Sequence, residues 1–435
     1  MATTSPVDPG GDAPGLARGA SPSKIKVALR ALRHRNFRLF FAGQFISLIG
    51  TWMQIVAQSW LVYRLTGSSF LLGSVGFASQ IPVLLLAFIG GTVADRHNRR
   101  RVVIATQASA MALAFILSFL TLIEGVRVWH IFVISALGGV VNAFDMPARQ
   151  AFIVELVGKK DLMNAIALNS TLFNGARVLG PAVAGMLIAS IGEGWCFFAN
   201  GVSFIAVIAG LLLMKLEARR GYAGSGSGIS DVLEGFRFVC RARPVRALLL
   251  LLGLVSLVGM PYSVLMPIFA DRILHGGARG LGILMGATGL GALAGAMSLA
   301  VRAGTRGLGK LVAFAAAGFG SCLILFSFSR SFWLSALFLI PAGFSMMVHM
   351  TSTNTMIQIM VPDHLRGRVM ALHVMMFMGM APFGSFFAGI VAEKLGAPLA
   401  VAIGAVVCVA GSALFLARLP KFQPLVRNPV QTHTD

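Results

Sequence analysis

Long apolar stretches alternate with short polar, glycine-rich or proline-rich breaks along nearly the whole chain. They fall at about 37–63, 69–93, 101–123, 128–146, 165–190 and 195–215, and again at 247–271, 280–301, 308–328, 332–355, 367–392 and 398–418. A helix needs about 20 apolar residues to cross a hydrocarbon core of about 30 Å. Backbone N–H and C=O groups in lipid must bond within their own segment, so these stretches predict transmembrane helices. A membrane barrel would show segments of about ten residues with alternating polarity, and none is visible. The pattern therefore predicts an all-α membrane protein with twelve spans.

The largest interruption runs from Glu217 to Val245 and separates six spans from six. It opens with a Gly/Ser-rich stretch (Gly221 to Gly228). It continues with Ile229, Val232, Leu233, Phe236, Val239 and Cys240, an apolar stripe at helical spacing with Arg237, Arg241 and Arg243 set among it. That pattern predicts an amphipathic helix on the membrane surface. The chain then divides into a disordered N-terminal tail (1–35), a six-helix half (36–216), a central loop (217–246), a second half (247–419) and a C-terminal tail (420–435). An internal repeat supports the division. At an offset of 204, Gly175, Gly180, Gly185 and Gly192 meet Gly379, Gly384, Gly389 and Gly396, and Gly91 meets Gly295. Two such halves place a transporter's binding site at their interface.

Composition agrees with a lipid-facing chain. Only 12% of the residues are charged and 57% are hydrophobic, with a mean hydropathy of +0.82; soluble domains carry about 25% charged residues. The net charge of +21 would suggest nucleic acid in a soluble protein, but its distribution says otherwise. Basic residues crowd one side of the topology: the N-terminal flank, Arg96 to Arg101, Arg149 to Lys160, the central loop, Arg302 to Lys310, Arg366 and Arg368, and the C-terminal flank. The other side holds Arg64, Arg127, Arg272, Arg279, Arg330 and Lys394. By the positive-inside rule both termini are expected in the cytoplasm and the protein in the inner (plasma) membrane. No nucleic-acid partner is implied. Cys196, Cys240, Cys322 and Cys408 have no metal-ligand spacing, and no metal or other cofactor is expected. There is no phosphate-binding loop for ATP and no catalytic constellation.

Three groups of residues stand out. The loop after span 2 reads Gly91-Thr-Val-Ala-Asp95-Arg96-His97-Asn98-Arg99-Arg100. It combines a small residue for close helix approach with an acid that can pair with arginines. The stretch around span 5 holds Asp145-Met-Pro-Ala-Arg149, Asn169, Asn174, Arg177 and Gly180-Pro181-x-x-x-Gly185. An arginine at mid-span costs about 2.5–3.5 kcal/mol on insertion scales, so Arg177 is expected to face a cavity or a partner, with Asp145, Asn169 and Asn174 as candidates. Asp145 falls near the end of its apolar run, where Arg99, Arg100 or Arg149 could pair with it. Gln54 and Gln58, one helical turn apart in span 1, share a face and are expected to line a cavity or bond a neighbouring helix. Pro261 and Pro267 are expected to break span 7, and Pro341 span 10. His349 and His373 read as packing residues before proton carriers.

The loop Gly91 to Arg101 resembles the signature loop between helices 2 and 3 of the major facilitator superfamily. Asn98 stands where that pattern has glycine; asparagine also tolerates the left-handed conformation. Residues 145–185 resemble the exporter branch that includes the enterobactin exporter and macrolide efflux proteins, and Gly180-Pro181 resembles the Gly-Pro motif of drug/proton antiporters. The resemblance covers roughly residues 30–420. It implies two pseudo-symmetric six-helix halves and a secondary transporter, not an enzyme. It also implies proton-driven export of a small amphiphilic molecule, siderophore- or drug-like, by a monomer in the bilayer. Gly91, Asp95, Arg96, Arg99, Arg100, Asp145 and Arg149 would form an inner gate. Arg177, Asn169, Asn174, Gln54 and Gln58 would serve the substrate or proton pathway. Gly180, Pro181, Gly185, Gly384 and Gly389 would permit rocking. An importer on the same fold and a non-transporting receptor or assembly factor are the alternatives.

Overall fold

The computed structural model describes residues 30–214, 229–302, 304 and 307–419. Residues 1–29, the Gly/Ser-rich stretch to Gly228, Arg306 and residues 420–435 lie outside that range, and with them most of the expected tails. Among the described residues, twelve helices are long and apolar enough to cross a membrane. They are α1 (Arg35–Thr66), α2 (Ser69–Arg96), α3 (Arg99–Leu122), α4 (Val128–Gly158), α5 (Asp161–Ile191) and α6 (Glu193–Leu212), then α8 (Arg243–Ile273), α9 (Gly277–Val301), α10 (Leu308–Phe328), α11 (Phe332–Met360), α12 (Asp363–Leu395) and α13 (Ala397–Arg418). Between the sets lies the amphipathic helix α7 (Ile229–Arg241). With even numbers of spans, both described ends lie on one side, here called the basic face; the other is the far face. The protein is a multi-pass membrane protein of two pseudo-symmetric six-helix halves.

Local chemistry sets the helix ends. Gly67 (φ 61°) closes α1 in the left-handed region, and the Ser68 hydroxyl then accepts the Leu71 N–H at 3.2 Å to start α2. Gly158 (φ 67°) breaks what would otherwise be one continuous rod into α4 and α5. Asn98 is not left-handed, as its glycine counterpart would suggest. Its φ is −64° and its side chain caps α3 by accepting the Arg101 N–H at 3.1 Å. Residues 30–33 form a turn of 3-10 helix within what reads as tail. Arg30, Arg33 and His34 hold it at 2.9, 2.8 and 2.8 Å on Asp161, the first residue of α5.

Span 7 is broken as expected: α8 passes through a π-helical turn at Val255–Gly259 and a 3-10 turn at Met260–Ser263, around Pro261. Pro341 does not break span 10, because α11 continues through it from Phe332 to Met360.

Glycines set how closely the helices approach. Lipid tails are as apolar as leucine side chains, so close backbone packing drives helix association in a bilayer. A β-carbon at Gly185 would sit 2.9 Å from Gly282 Cα, and one at Gly389 would sit 3.0 Å from Gly73 Cα. These two crossings, α5 on α9 and α12 on α2, join the halves near the far face. A second related pair lies within the halves: Gly139 presses on the Ser79 carbonyl and Gly343 on the Thr288 carbonyl. Residues of α4 and α5 therefore map onto α11 and α12 at the offset of 204, whereas α2 maps onto α9 at 209. The coincidence of Gly91 with Gly295 is not a structural equivalence. Gly91 faces open space and its neighbour Gly90 makes the close approach, against the Ala143 carbonyl.

Candidate functional site

A cavity of about 670 Å³ lies between the halves and belongs mostly to the first one. Helices α1 to α6 all contribute to its wall; α8, α9 and α12 add Tyr262, Thr288 and Met378 among others. Helix α11 contributes no described residue to the wall, although Met346 Sδ lies 3.9 Å from Arg177 Nη2.

Direct contacts between the halves seal the cavity toward the far face. Besides the two glycine crossings, the Tyr63 hydroxyl donates to Asp271 Oδ2 at 2.8 Å. The Glu393 carboxylate accepts the Ser68 hydroxyl at 3.2 Å and the Phe70 N–H at 3.1 Å. Glu393 thus places a negative charge on the N-terminus of α2, where the helix dipole favours it. Phe77 packs against Phe383 and Phe386 of α12, with ring centroids 5.9 and 5.6 Å apart.

Three charged side chains line the cavity: Asp145, Arg149 and Arg177. Asp145 is buried. It accepts from Thr106 Oγ1 at 2.8 Å and Gln107 Nε2 at 2.9 Å, and pairs with Arg149 at 2.5 Å. Arg149 also donates to Gln44 Oε1 at 3.1 Å. The sequence places Asp145 at a helix end because the apolar run stops there. In the structure α4 continues to Gly158, so the carboxylate sits inside the bundle, and its partner is Arg149 rather than Arg99 or Arg100. Breaking a buried pair of this kind by removing one partner costs about 3–5 kcal/mol.

Arg177 has no carboxylate partner among the described residues. Its guanidinium carbon stands 5.7 Å from the centre of the Trp52 ring, a cation–π geometry worth about 0.5–2 kcal/mol. Neither Asp145 nor Asn174 pairs with it: Asn174 donates to the Ser170 carbonyl at 2.8 Å. Asn169 is not part of the cavity wall. Among the described residues, the cavity thus carries one matched pair and one guanidinium that no acid neutralises.

Gln54 and Gln58 both line the cavity and both bond neighbouring helices. Gln54 accepts from Asn200 Nδ2 at 2.6 Å and Gln58 donates to Ser135 Oγ at 2.6 Å. Gly180 packs on Ile49 and Trp52 of α1, and the Pro181 carbonyl abuts Gly282. Gly384 approaches the Leu257 carbonyl within the second half.

The loop on the basic face is held by its own half. Arg99 pairs with Glu155 at 2.8 Å and, less closely, with Asp95 at 3.7 Å. Arg100 donates to the Leu212 carbonyl at 3.0 Å. Asp95 and Arg96 are exposed. The loop residues and the Asp145–Arg149 pair are therefore two separate clusters. Sequence reasoning missed Thr106, Gln107, Asn200 and Glu393; their only signal was polarity within or at the ends of apolar spans.

The whole arrangement is that of a membrane transporter. Residues 26–434 match the family model described as transmembrane secretion effector, and the chain belongs to that family of the major facilitator superfamily. It is similar to the staphyloferrin A transporter of Staphylococcus aureus, at 25% identity over 82% of this chain and 90% of that one. It is also similar to the multidrug efflux pump Tap of Mycolicibacterium fortuitum, at 28% identity over 80% and 87%. The enterobactin exporter EntS of Escherichia coli is 25% identical over 78% and 81%. Among solved structures the nucleoside transporter NupG shares the fold with a TM-score of 0.68, at 13% identity and covering 90% of this chain and 99% of that one.

Proposed function

We propose that the protein exports a small amphiphilic anion from the cytoplasm by proton antiport, as a monomer in the inner membrane with both termini cytoplasmic. The observation that carries this reading is Arg177: a guanidinium at mid-helix in the cavity, stacked on Trp52 and without an acid beside it. A desolvated cation of this kind is strongly favoured by an incoming carboxylate or phenolate. The aromatic and methionine surfaces of Trp52, Phe173 and Met285 suit the apolar part of such a molecule. The amide and hydroxyl groups of Gln54, Gln58 and Thr51 suit its polar part.

With the basic face cytoplasmic, the present state is sealed outward and receives substrate from within. Rocking about the crossings Gly185–Gly282 and Gly389–Gly73 then opens the far face. The Asp95–Arg100 loop serves as the latch of that second state, when the second half closes onto it. The names of the staphyloferrin A transporter, the Tap efflux pump and the enterobactin exporter favour a siderophore- or drug-like cargo moving outward.

The test is accumulation of fluorescent amphiphiles, matched in size and bearing a carboxylate, an amide or an ammonium, in cells expressing wild type or Arg177→Gln. Lower accumulation of the carboxylate compound with wild type, lost in the variant and with a protonophore, is the expected result. Equal accumulation of all three in both strains would sink the export reading for this class of molecule.

A further inference from the structure

A second recess lies outside the central cavity, on the lipid-facing surface. It is a groove of about 460 Å³ where α5 of the first half meets α9 and α11 of the second. Its floor is made of small residues, among them Ala182, Gly286 and Ala336, and its rim of the exposed side chains Ile283, Leu290, Trp333, Leu337 and Ile340. Close helix approach does not require Gly286: a β-carbon there would meet only the Val178 carbonyl, at an ordinary 3.8 Å. The missing side chain instead leaves the groove open. The indole N–H of Trp333 is the one polar side-chain group among the lining residues.

The groove has the length of half a bilayer. Ile283, Gly286 and Leu290 line it and continue a helical stripe that starts at Arg279, in the first turn of α9. Eleven residues at 1.5 Å each span about 16 Å, and one leaflet contributes about 15 Å of the hydrocarbon core. The groove therefore runs from the far-face interface to the midplane. Its shallow end is cationic. Helices α9 and α11 start side by side, since a β-carbon at Gly280 would sit 2.9 Å from the Phe332 ring. Arg279, Arg330 and Trp333 thus stand near one level, and all three are exposed. Basic residues are scarce on the far face, yet two of them flank this groove. Neither is paired with an acid among the described residues, whereas Arg64 on the same face is held by Glu193 at 2.8 Å. An arginine that lays its stem along apolar surface and its head at the interface, beside a tryptophan at headgroup depth, suits a lipid phosphate.

We propose that this groove binds one anionic phospholipid of the far-side leaflet. An acyl chain fills the space between α5, α9 and α11, and the headgroup phosphate accepts hydrogen bonds from Arg279 and Arg330. The walls come from both halves and include Gly282, which meets Gly185 at the far-face crossing. A lipid seated there bridges the halves beside the seal and loses its groove when α5 and α9 part. It is a ligand of the far-sealed state and favours that state. The site does not depend on the cargo or on the direction of transport.

The experiment is photo-cross-linking of the full chain in phosphatidylcholine nanodiscs. The nanodiscs carry a trace of phosphatidylglycerol, or of phosphatidylcholine, with a diazirine at the tip of one acyl chain, and adducts are mapped by mass spectrometry. Adducts are expected at Leu290, Ile340 and Val178, at the deep end of the groove. Two arginines near the headgroup should favour the phosphatidylglycerol reagent by about tenfold. Arg279→Gln combined with Arg330→Gln, both exposed positions, should bring it down to the phosphatidylcholine level. Gly286→Leu should fill the groove and remove the adducts with either lipid. Adducts as frequent at exposed Phe387 of α12 as in the groove overturn the proposal. So do equal labelling by the two lipids, and a groove left unlabelled, as a second copy of the chain seated in it would leave it.

Discussion

Replacing Gly185 by alanine probes the far-face seal. The added β-carbon meets Gly282 Cα at 2.9 Å, the Ala278 carbonyl oxygen at 3.0 Å and the Arg279 carbonyl oxygen at 3.2 Å. All three are backbone atoms, so no side chain can rotate away. Carbon atoms in contact prefer about 3.5–4.0 Å, and α5 and α9 must therefore separate by several tenths of an ångström. Overpacking of this kind costs about 1–3 kcal/mol. Only the far-sealed state has the contact, so the penalty moves the equilibrium toward the far-open state by about 5- to 150-fold. Gly389→Ala does the same at the related crossing, against the Ser69 carbonyl at 2.8 Å and Gly73 Cα at 3.0 Å. The two sites share no neighbours, so their effects should add. Gly367→Ala is the control, since that glycine has open space around it and lies at the basic-face end of α12. Spin labels at Glu124 and Arg330, exposed on opposite halves near the far face, report the separation in nanodiscs by electron–electron resonance. The expected result is a longer-distance population in both variants, larger in the double variant and absent in the control. An unchanged distribution in Gly185→Ala and in the bulkier Gly185→Leu refutes the assignment of this crossing as the seal.

Arg149→Gln leaves Asp145 buried with only its two neutral donors. It should lower stability by about 3–5 kcal/mol, and Asp145→Asn in the same chain should recover most of the loss; thermal unfolding followed by fluorescence in detergent decides. Arg177→Lys keeps the charge but loses the guanidinium fork that binds a carboxylate by two hydrogen bonds, so binding of a carboxylate amphiphile should weaken by roughly tenfold, whereas Arg177→Gln should abolish it; equilibrium dialysis with purified protein measures both. Asp161→Asn releases the turn at residues 30–33 and should expose Arg30 and Arg33 to trypsin; an unchanged cleavage pattern would mean that the ion pairs do not hold the segment. Asn98→Ala removes the cap of α3 at a cost of about 1 kcal/mol, and Asn98→Gly costs only a few tenths, again read from thermal unfolding.

The fold was legible because the bilayer imposes one solution on a long apolar run, and the charges of Arg96 to Arg101 and their counterparts mark alternate loops. Helix lengths were less legible. Asp145 ends its apolar run but not its helix, because the continuation to Gly158 is amphipathic and packs within the first half, with Phe152 and Ile153 buried. Arg177 was recognisable from the cost of a mid-span cation, yet its setting was not: the Trp52 stack joins α1 and α5, and no spacing in the sequence reports a contact between helices so far apart in the chain. Repeat offsets carried partial information. The glycines of α5 and α12 kept 204, while α2 and α9 differ by five more residues, and only the close contacts at Gly73 and Gly282 reveal it. The cross-half bond of Tyr63 with Asp271 had no signal beyond a tyrosine and an acid at the ends of two spans.

The most direct test of the account is transport by purified protein in liposomes carrying an imposed pH gradient, with the carboxylate amphiphile and its amide analogue supplied on the basic-face side. The account expects movement of the carboxylate compound toward the far-face side, driven by protons moving the other way, with little movement of the amide and none of either compound in Arg177→Gln. Transport of the two compounds at equal rates, indifferent to Arg177 and to the gradient, would contradict it.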